Sequence, residues 1–303
     1  MASLAEALAI PNKTPNQKPN QRIEWCVVGV ATHGGALTPT IRALLLEAAA
    51  LGLSLVNGLH EFAGDDPEIA AALARTGGRV VDVRRAKPKK ELHFWTGEIA
   101  TIPAPRLAVL GMDCAIGKRT TARLLVEAAN RAGVRAEMVY TGQTGWMQGA
   151  RFGTILDSLP NDFVSGELEH AIVSCHRETR PDLIVVEGQS SLRNPSGPCG
   201  AELLLSAAAR GVVLQHAPAR RWFDGYEGRF AIPTIESEIA LIATYGARTL
   251  AVTLNGVGLS TADLAREQAA LERKLGIPVI RPLEEGLERA IPALRRFLEE
   301  ERR

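Results

Sequence analysis

The stretch RLAVLGMDCAIGKRTTARLL, Arg106 to Leu125, constrains the fold more than any other part of the chain. A run of apolar residues ends at Gly111. Five residues separate it from Gly117, Lys118 follows, and the segment KRTTARLLVEAANRAG then continues at helical spacing. A strand, a glycine-bounded loop and a helix in that order form a phosphate site. The loop's backbone N–H groups turn inward at the helix N-terminus, and the lysine adds a point charge. Such a loop needs a parallel sheet around it, so the expected class is α/β.

The flanking sequence agrees. IEWCVVGV, residues 23–30, reads as a strand buried on both faces. TPTIRALLLEAAALG reads as a helix with Pro39 near its start, LSLVNG as a second strand, DPEIAAALARTGG as a helix ending in glycine, and RVVDVR as a third strand. This alternation predicts a Rossmann-like sheet with right-handed crossovers. Residues 84–105 interrupt the rhythm and read as a linker. The alternation then restarts, with strands expected near 106–110, 135–140, 182–186, 211–215, 248–254 and 277–280, and a charged helix over 284–302. The expected organisation is a flexible arm over 1–22, rich in Pro, Asn and Lys, a Rossmann-like domain over 23–100, and a P-loop doubly wound domain over 101–303.

Composition narrows the function classes. There are 35 basic against 34 acidic residues, without the basic excess of a nucleic-acid binder. No uninterrupted apolar run is long enough to span a membrane, and the opening MASLAEALAI lacks the features of a leader. Cys26, Cys114, Cys175 and Cys199 are scattered, without metal or redox spacing. A cytoplasmic protein without nucleic-acid, membrane or metal partners is the expectation, with homo-oligomerisation assigned to the first domain.

The phosphate loop offers Gly111, Cys114, Ala115, Ile116, Gly117, Lys118, Arg119, Thr120 and Thr121 as cofactor-binding residues. One feature departs from the nucleotide-hydrolysing pattern. The residue after the lysine is normally Ser or Thr, whose hydroxyl ligates Mg²⁺; here it is Arg119. A shift of one residue turns a helical side chain by roughly 100°, so Thr120 is no obvious substitute. Arg119 either supplies a fixed charge to a pyrophosphate that stays intact, as in coenzyme A, or points to solvent.

Ligands of doubly wound sheets sit beyond the carboxyl ends of the strands. Three clusters fall there. The first is TGQTG, comprising Thr141, Gly142, Gln143, Thr144 and Gly145. The second is EGQSSLRNPSG, with Glu187, Gln189, Ser190 and Arg193. The third is QHAPARR, with His216, Arg220 and Arg221. In NDFVSGELEHA, Asp162 marks a helix start and Glu169 follows at helical spacing.

The loop, with its acid at the third position, resembles that of dethiobiotin synthetase and its relatives. The ordered series GMDCAIGKRTT, TGQTG, NDFVSGELE, VVEGQSSL and QHAPAR is more specific. Over roughly residues 23–300 it is similar to a bacterial family, long described as a domain of unknown function, with a Rossmann-like N-terminal half and a P-loop C-terminal half. GLHEFAGDDPE and VVDVRR fit the same family. It usually has glycine where Ser190 stands here, and often a longer, tyrosine-bearing segment in place of NPSGPCG.

The resemblance implies N-acetylation of D-glutamate or a related amino acid with acetyl-CoA, functionally paired with an enolase-superfamily racemase. Such chemistry needs a base to deprotonate the substrate amine, and Glu187 is the first candidate, followed by Asp162 and Asp113. Donors to a developing oxyanion are expected at Gly142–Gly145 and Gly188–Ser190, with Gln143 and Gln189. Cationic anchors for a dicarboxylate are Arg220, Arg193 or Arg151. Two readings compete. One is a Mg-ATP-dependent carboxylate-activating enzyme, with Asp113 and Glu187 holding the metal. The other is a non-catalytic nucleotide sensor.

Overall fold

The computed structural model describes Leu4, residues 23–30 and residues 32–302. The arm expected over 1–22 lies, Leu4 aside, outside the described residues. The chain divides into two compact units, Met1–Lys87 and Pro88–Arg303.

Among the described residues the first unit carries three parallel strands, β1 (Trp25–Val27), β2 (Ser54–Asn57) and β3 (Val80–Asp82), in that spatial order. Helices α1 (Pro39–Ala50) and α2 (Pro67–Thr76) connect them. Each helix starts on a proline behind a side-chain cap. Thr38 accepts from the Ile41 N–H, and Asp66 accepts from Glu68 and Ile69. The segment 23–30, expected to be buried on both faces, yields only a three-residue edge strand. Val27 is 53% and Val30 59% exposed, so the segment is not covered on both faces. GLHEFAGDDPE has a local role. Buried Asp82 accepts from the Asn57 amide and from the N–H groups of Ala63 and Gly64, fixing the loop that follows β2.

The second unit is a seven-stranded parallel sheet ordered β10-β9-β8-β4-β7-β5-β6. Its strands are β4 (Arg106–Gly111), β5 (Ala136–Tyr140), β6 (Phe152–Gly153), β7 (Leu183–Glu187), β8 (Gly211–His216), β9 (Arg248–Leu254) and β10 (Val279–Ile280). The helices are α3 (Lys118–Arg131), α4 (Gln143–Met147), α5 (Asn161–Thr179), α6 (Ala201–Leu205), α7 (Ile235–Thr244), α8 (Thr261–Leu275), α9 (Pro282–Glu285) and α10 (Ile291–Glu301). The apolar runs of the central strands split by alternate residues between two cores. Leu107 and Val109 of β4, with Leu183 and Val185 of β7, join Ala122 and Leu125 of α3 and Phe297 of α10. Ala108, Leu110, Ile184 and Val186 join Leu168 and Ile172 of α5 and Ile242 of α7. The helix expected over 284–302 is broken, because Gly286 takes a left-handed φ of 71° between α9 and α10.

The segment expected to be a free linker is stitched into the second unit. Glu167 and Glu169, each 3% exposed, face it from α5. Glu167 accepts from the His93 N–H at 2.9 Å and meets His93 Nδ1 at 2.6 Å. Glu169 accepts from the Thr96 N–H at 2.6 Å and from the Ile99 N–H at 3.0 Å. A Cβ at Gly166 would lie 2.0 Å from the His93 carbonyl oxygen, so only glycine lets the segment cross the helix. The compact units therefore part at Lys87–Pro88, not at 100–101. NDFVSGELE serves this crossing. Asp162 lies exposed in the first turn of α5 and makes no cap; the cap position is Pro160.

Candidate functional site

Strand order reverses beside β4. The chain leaves β4 toward β5 on one side, and after β7 it crosses to β8 on the other. Open parallel sheets bind ligands at the strand ends next to such a reversal. The loop at the end of β4 is built for anions. Ala115 and Gly117 hold left-handed φ values of 52° and 103°. Three loop carbonyls are tied from outside: Asp113 O by Lys118 Nζ at 2.6 Å, Cys114 O by Arg220 at 2.8 Å, and Ile116 O by the Asn255 amide at 2.9 Å. The N–H groups of Cys114, Ala115, Ile116 and Gly117 donate to no acceptor among the described residues. With its carbonyls held back and its amides free, the loop forms a cradle for phosphate oxygens at the N-terminus of α3.

Lys118 is 6% exposed. Its ammonium bridges Asp113 O and, at 2.8 Å, Ser190 O on the loop after β7. Burial pulls it down to about 8. Ser190 itself sits at φ 34°, which favours glycine. Cys114 Sγ lies 3.3 Å from Ser190 Oγ and 3.5 Å from Asn194 Nδ2.

Asp113 is fully buried and fully partnered. Oδ1 accepts from Asn194 at 3.0 Å; Oδ2 accepts from Arg220 at 2.8 Å and from the Asp224 N–H at 2.9 Å. This carboxylate binds the loop after β8 to the phosphate loop. As a base or metal ligand it would have to surrender these bonds.

Glu187 ends β7 at 4% exposure. Its Oε2 accepts from the Thr141 N–H at 3.1 Å, and its carbonyl accepts from Thr141 Oγ1 at 2.8 Å. The Gln189 amide reaches Thr141 Oγ1 at 3.1 Å. Burial lifts the Glu187 carboxyl to about 7; the Thr141 N–H, the Arg119 charge, the Gly142 N–H and the Lys118 charge pull weakly the other way. The Gly142 N–H, expected to face an oxyanion, serves Glu187 together with the Thr141 N–H. A Cβ at Gly188 would meet the Val109 carbonyl oxygen at 2.1 Å, so this glycine lets β7 turn away beside β4.

Several other candidates are occupied elsewhere. Arg193 bonds buried Glu238 at 2.6 Å and Ser237 at 2.8 Å. Arg151 pairs with Glu178 at 2.7 Å on an exposed edge. Thr121 donates its hydroxyl to Gln215, which also accepts from Thr253. Burial drops His216 to about 4, so it is neutral at pH 7 and brings no positive charge to an anion site. Gln143 and Thr144 are half-buried on α4, and Gly145 packs against Tyr140. Arg119 bonds the Gln148 amide oxygen and Thr120 Oγ1. Beside the loop lies a cleft of about 190 Å³, lined by Ala115, Gly117, Thr120, Asn255, Pro282 and Leu283 among others.

The sequence reasoning missed Asn194, Asp224 and Asn255. Asn255 carried a signal, an amide immediately after the apolar strand RTLAVTL. Asn194 and Asp224 lie in loops and carried none. Among the described residues no helix is long and apolar enough to cross a membrane.

Residues 93–291 match a P-loop domain and residues 3–86 a Rossmann-like domain, both described as domains of unknown function of the DUF1611 type. The chain belongs to the DUF1611 family. A crystal structure of a DUF1611 protein from Anabaena variabilis superposes with a TM-score of 0.83 at 27% identity, covering 97% of this chain and 83% of that one. Curated relatives named D-glutamate N-acetyltransferase, from Tritonibacter scottomollicae and a Pseudoalteromonas species, are each 28% identical over 88% of this chain and 80% of their own length.

Proposed function

We propose that this DUF1611 protein is an acetyl-CoA-dependent N-acetyltransferase acting on a small acidic amino acid, D-glutamate or a close relative. The observation that carries the reading is the phosphate cradle, whose cationic partner Lys118 is buried and whose acid, Asp113, is committed to Arg220, Asn194 and Asp224. This donor set fits a diphosphate held intact, and its chemistry is that of N–H groups and an ammonium, without recourse to the Asp113 carboxylate. Cys114–Gly117 and Lys118 would hold the diphosphate of acetyl-CoA. The cleft lined by Asn255, Pro282 and Leu283 would take the adjoining nucleoside. Acetyl-CoA supplies an activated acetyl thioester when bound.

The chain's own part is to ready the amine. Glu187, near half-ionised at neutral pH, accepts a proton from the substrate ammonium. Its low exposure removes competing water, and Thr141 and Gly142 fix its orientation. The names of the curated relatives support the same substrate class.

Calorimetry with acetyl-CoA and with Mg-ATP, each with and without EDTA, tests the reading alongside CoA release on adding D-glutamate. Acetyl-CoA binding indifferent to EDTA, with CoA release matched to N-acetyl product, is expected. Stoichiometric ADP or phosphate release would replace it with the ATP-dependent carboxylate-activating reading.

A further inference from the structure

If the acyl-transfer reading holds, the acidic substrate needs a cation, and the basic residues near the site differ in how far they are committed. Arg193 is paired with Glu238, Arg151 with Glu178 and Arg220 with Asp113. Each of these arginines already has its charge matched by a carboxylate of the chain, with which a substrate carboxylate would have to compete. Lys118, bonded to the Asp113 and Ser190 carbonyls, is already assigned to the diphosphate. Arg221 is exposed on the loop after β8, and β4 separates β8 from the strand that carries Glu187.

Arg119 differs from all of them. It is half-exposed, and its guanidinium rests on two neutral oxygens, the Gln148 amide and the Thr120 hydroxyl. Among the described residues no carboxylate lies within ion-pair distance of it. It stands one residue beyond Lys118, so its side chain leaves α3 roughly 100° away from the lysine that faces the cradle. A guanidinium on neutral acceptors keeps its full charge for an incoming anion, and its planar fork matches a carboxylate bidentately.

The topology sets this cation opposite the base. β7 lies between β4 and β5, so Glu187 is flanked by the helix that follows each neighbour, α3 and α4. Thr141 and Gly142, at the start of α4, hold the Glu187 carboxylate; Gln148, just past its end, holds Arg119. From Gly142 to Gln148 the helix rises on the order of 9 Å. A substrate about 5 Å long between its amine and its distal carboxylate, with a hydrogen bond of about 2.8 Å at each end, spans a similar length.

We propose that Arg119 binds the distal carboxylate of the amino-acid substrate, and so selects acidic substrates, instead of gripping the diphosphate beside Lys118. The inference rests on the acyl-transfer reading and refines it. The amine then lies toward Glu187 and the carboxylate toward Gln148.

The test uses the full chain with Arg119→Gln and Arg119→Lys, both checked by thermal melting. Calorimetry gives the acetyl-CoA Kd, and steady-state kinetics give KM and kcat for D-glutamate, D-glutamine and D-isoglutamine. Losing a charge-assisted pair should raise the D-glutamate KM roughly tenfold to a hundredfold in Arg119→Gln, with partial recovery in Arg119→Lys. The acetyl-CoA Kd should stay within about twofold. D-glutamine, which lacks the distal carboxylate, should be a poor wild-type substrate that loses little more in the variant, whereas D-isoglutamine, which keeps it, should lose as D-glutamate does; the reverse pattern overturns the proposal. An unchanged D-glutamate KM, or a tenfold weaker acetyl-CoA Kd at unchanged KM, overturns the proposal. Failure of the wild-type protein to bind acetyl-CoA would instead remove the acyl-transfer reading, and this inference with it.

Discussion

Glu187→Gln tests the site through stability and rate together. The Glu187 carboxyl is 4% exposed, and burial raises it from 4.5 to about 7. A folded-state value above the unfolded one means that the fold favours the protonated form. The stability this group contributes is complete below pH 4.5 and is lost as the pH rises through 7. A difference of that size between the folded and unfolded carboxyl amounts to a loss of roughly 3 kcal/mol. Glutamine keeps the shape and an oxygen for the Thr141 N–H, but never ionises. Wild type and variant should therefore melt alike near pH 4. By pH 8 the variant should lead by roughly 6–12 °C, at about 2–4 °C per kcal/mol for a domain of this size.

The rate should move the opposite way. The ionised fraction of Glu187 climbs from about a tenth at pH 6 to about nine tenths at pH 8, so wild-type turnover at saturating acetyl-CoA should rise about tenfold over that interval. The variant should lose this limb and fall by a factor of roughly 10²–10⁴. Melting curves recorded across pH, with CoA release followed in the same buffers, supply both readouts. A constant melting difference between the two proteins from pH 4 to pH 8 would refute the burial argument. A variant with the wild-type pH–rate limb would remove Glu187 as the base.

Lys118→Met removes the ammonium from the cradle while preserving its bulk, and should weaken acetyl-CoA binding at least about tenfold by calorimetry; unaltered affinity would mean that the loop does not hold the diphosphate. Asp113→Ala strands Arg220, Asn194 and the Asp224 N–H, and should destabilise the chain by roughly 3–5 kcal/mol in urea. A loss under about 1 kcal/mol would show that these bonds contribute little to the fold. Gly166→Ala forces a Cβ against the His93 carbonyl and should cost about 1–3 kcal/mol. It should also speed trypsin cleavage after Lys89 and Lys90, which limited proteolysis followed by mass spectrometry would register.

What could be read from the sequence follows from how local each determinant is. β4 and β7 were legible as short unbroken apolar runs, α3 because its apolar residues repeat at helical spacing, and the loop between β4 and α3 because Gly117 and Lys118 are fixed by backbone geometry within a few residues. Glu187 was legible as an acid at the tip of an apolar strand. The function of Asp113 was not. In the chain it is an acid five residues before a lysine, which invites a metal or a base; in the fold its partner is Arg220, 107 residues on. Glu167 and Glu169 were illegible for the same reason. Two residues apart on a helix, they would ordinarily not share an environment. Both are buried because residues 93–99 wrap over α5 and bring N–H groups to each in turn. A buried carboxylate is thus ambiguous until its donors are known. Glu167 and Glu169 receive donors that hold a chain crossing, Asp113 receives donors that hold a loop, and Glu187 combines burial with a raised carboxyl beside the loop that meets Lys118. That combination, more than the acidic side chain itself, is the ground on which Glu187 is proposed as the base.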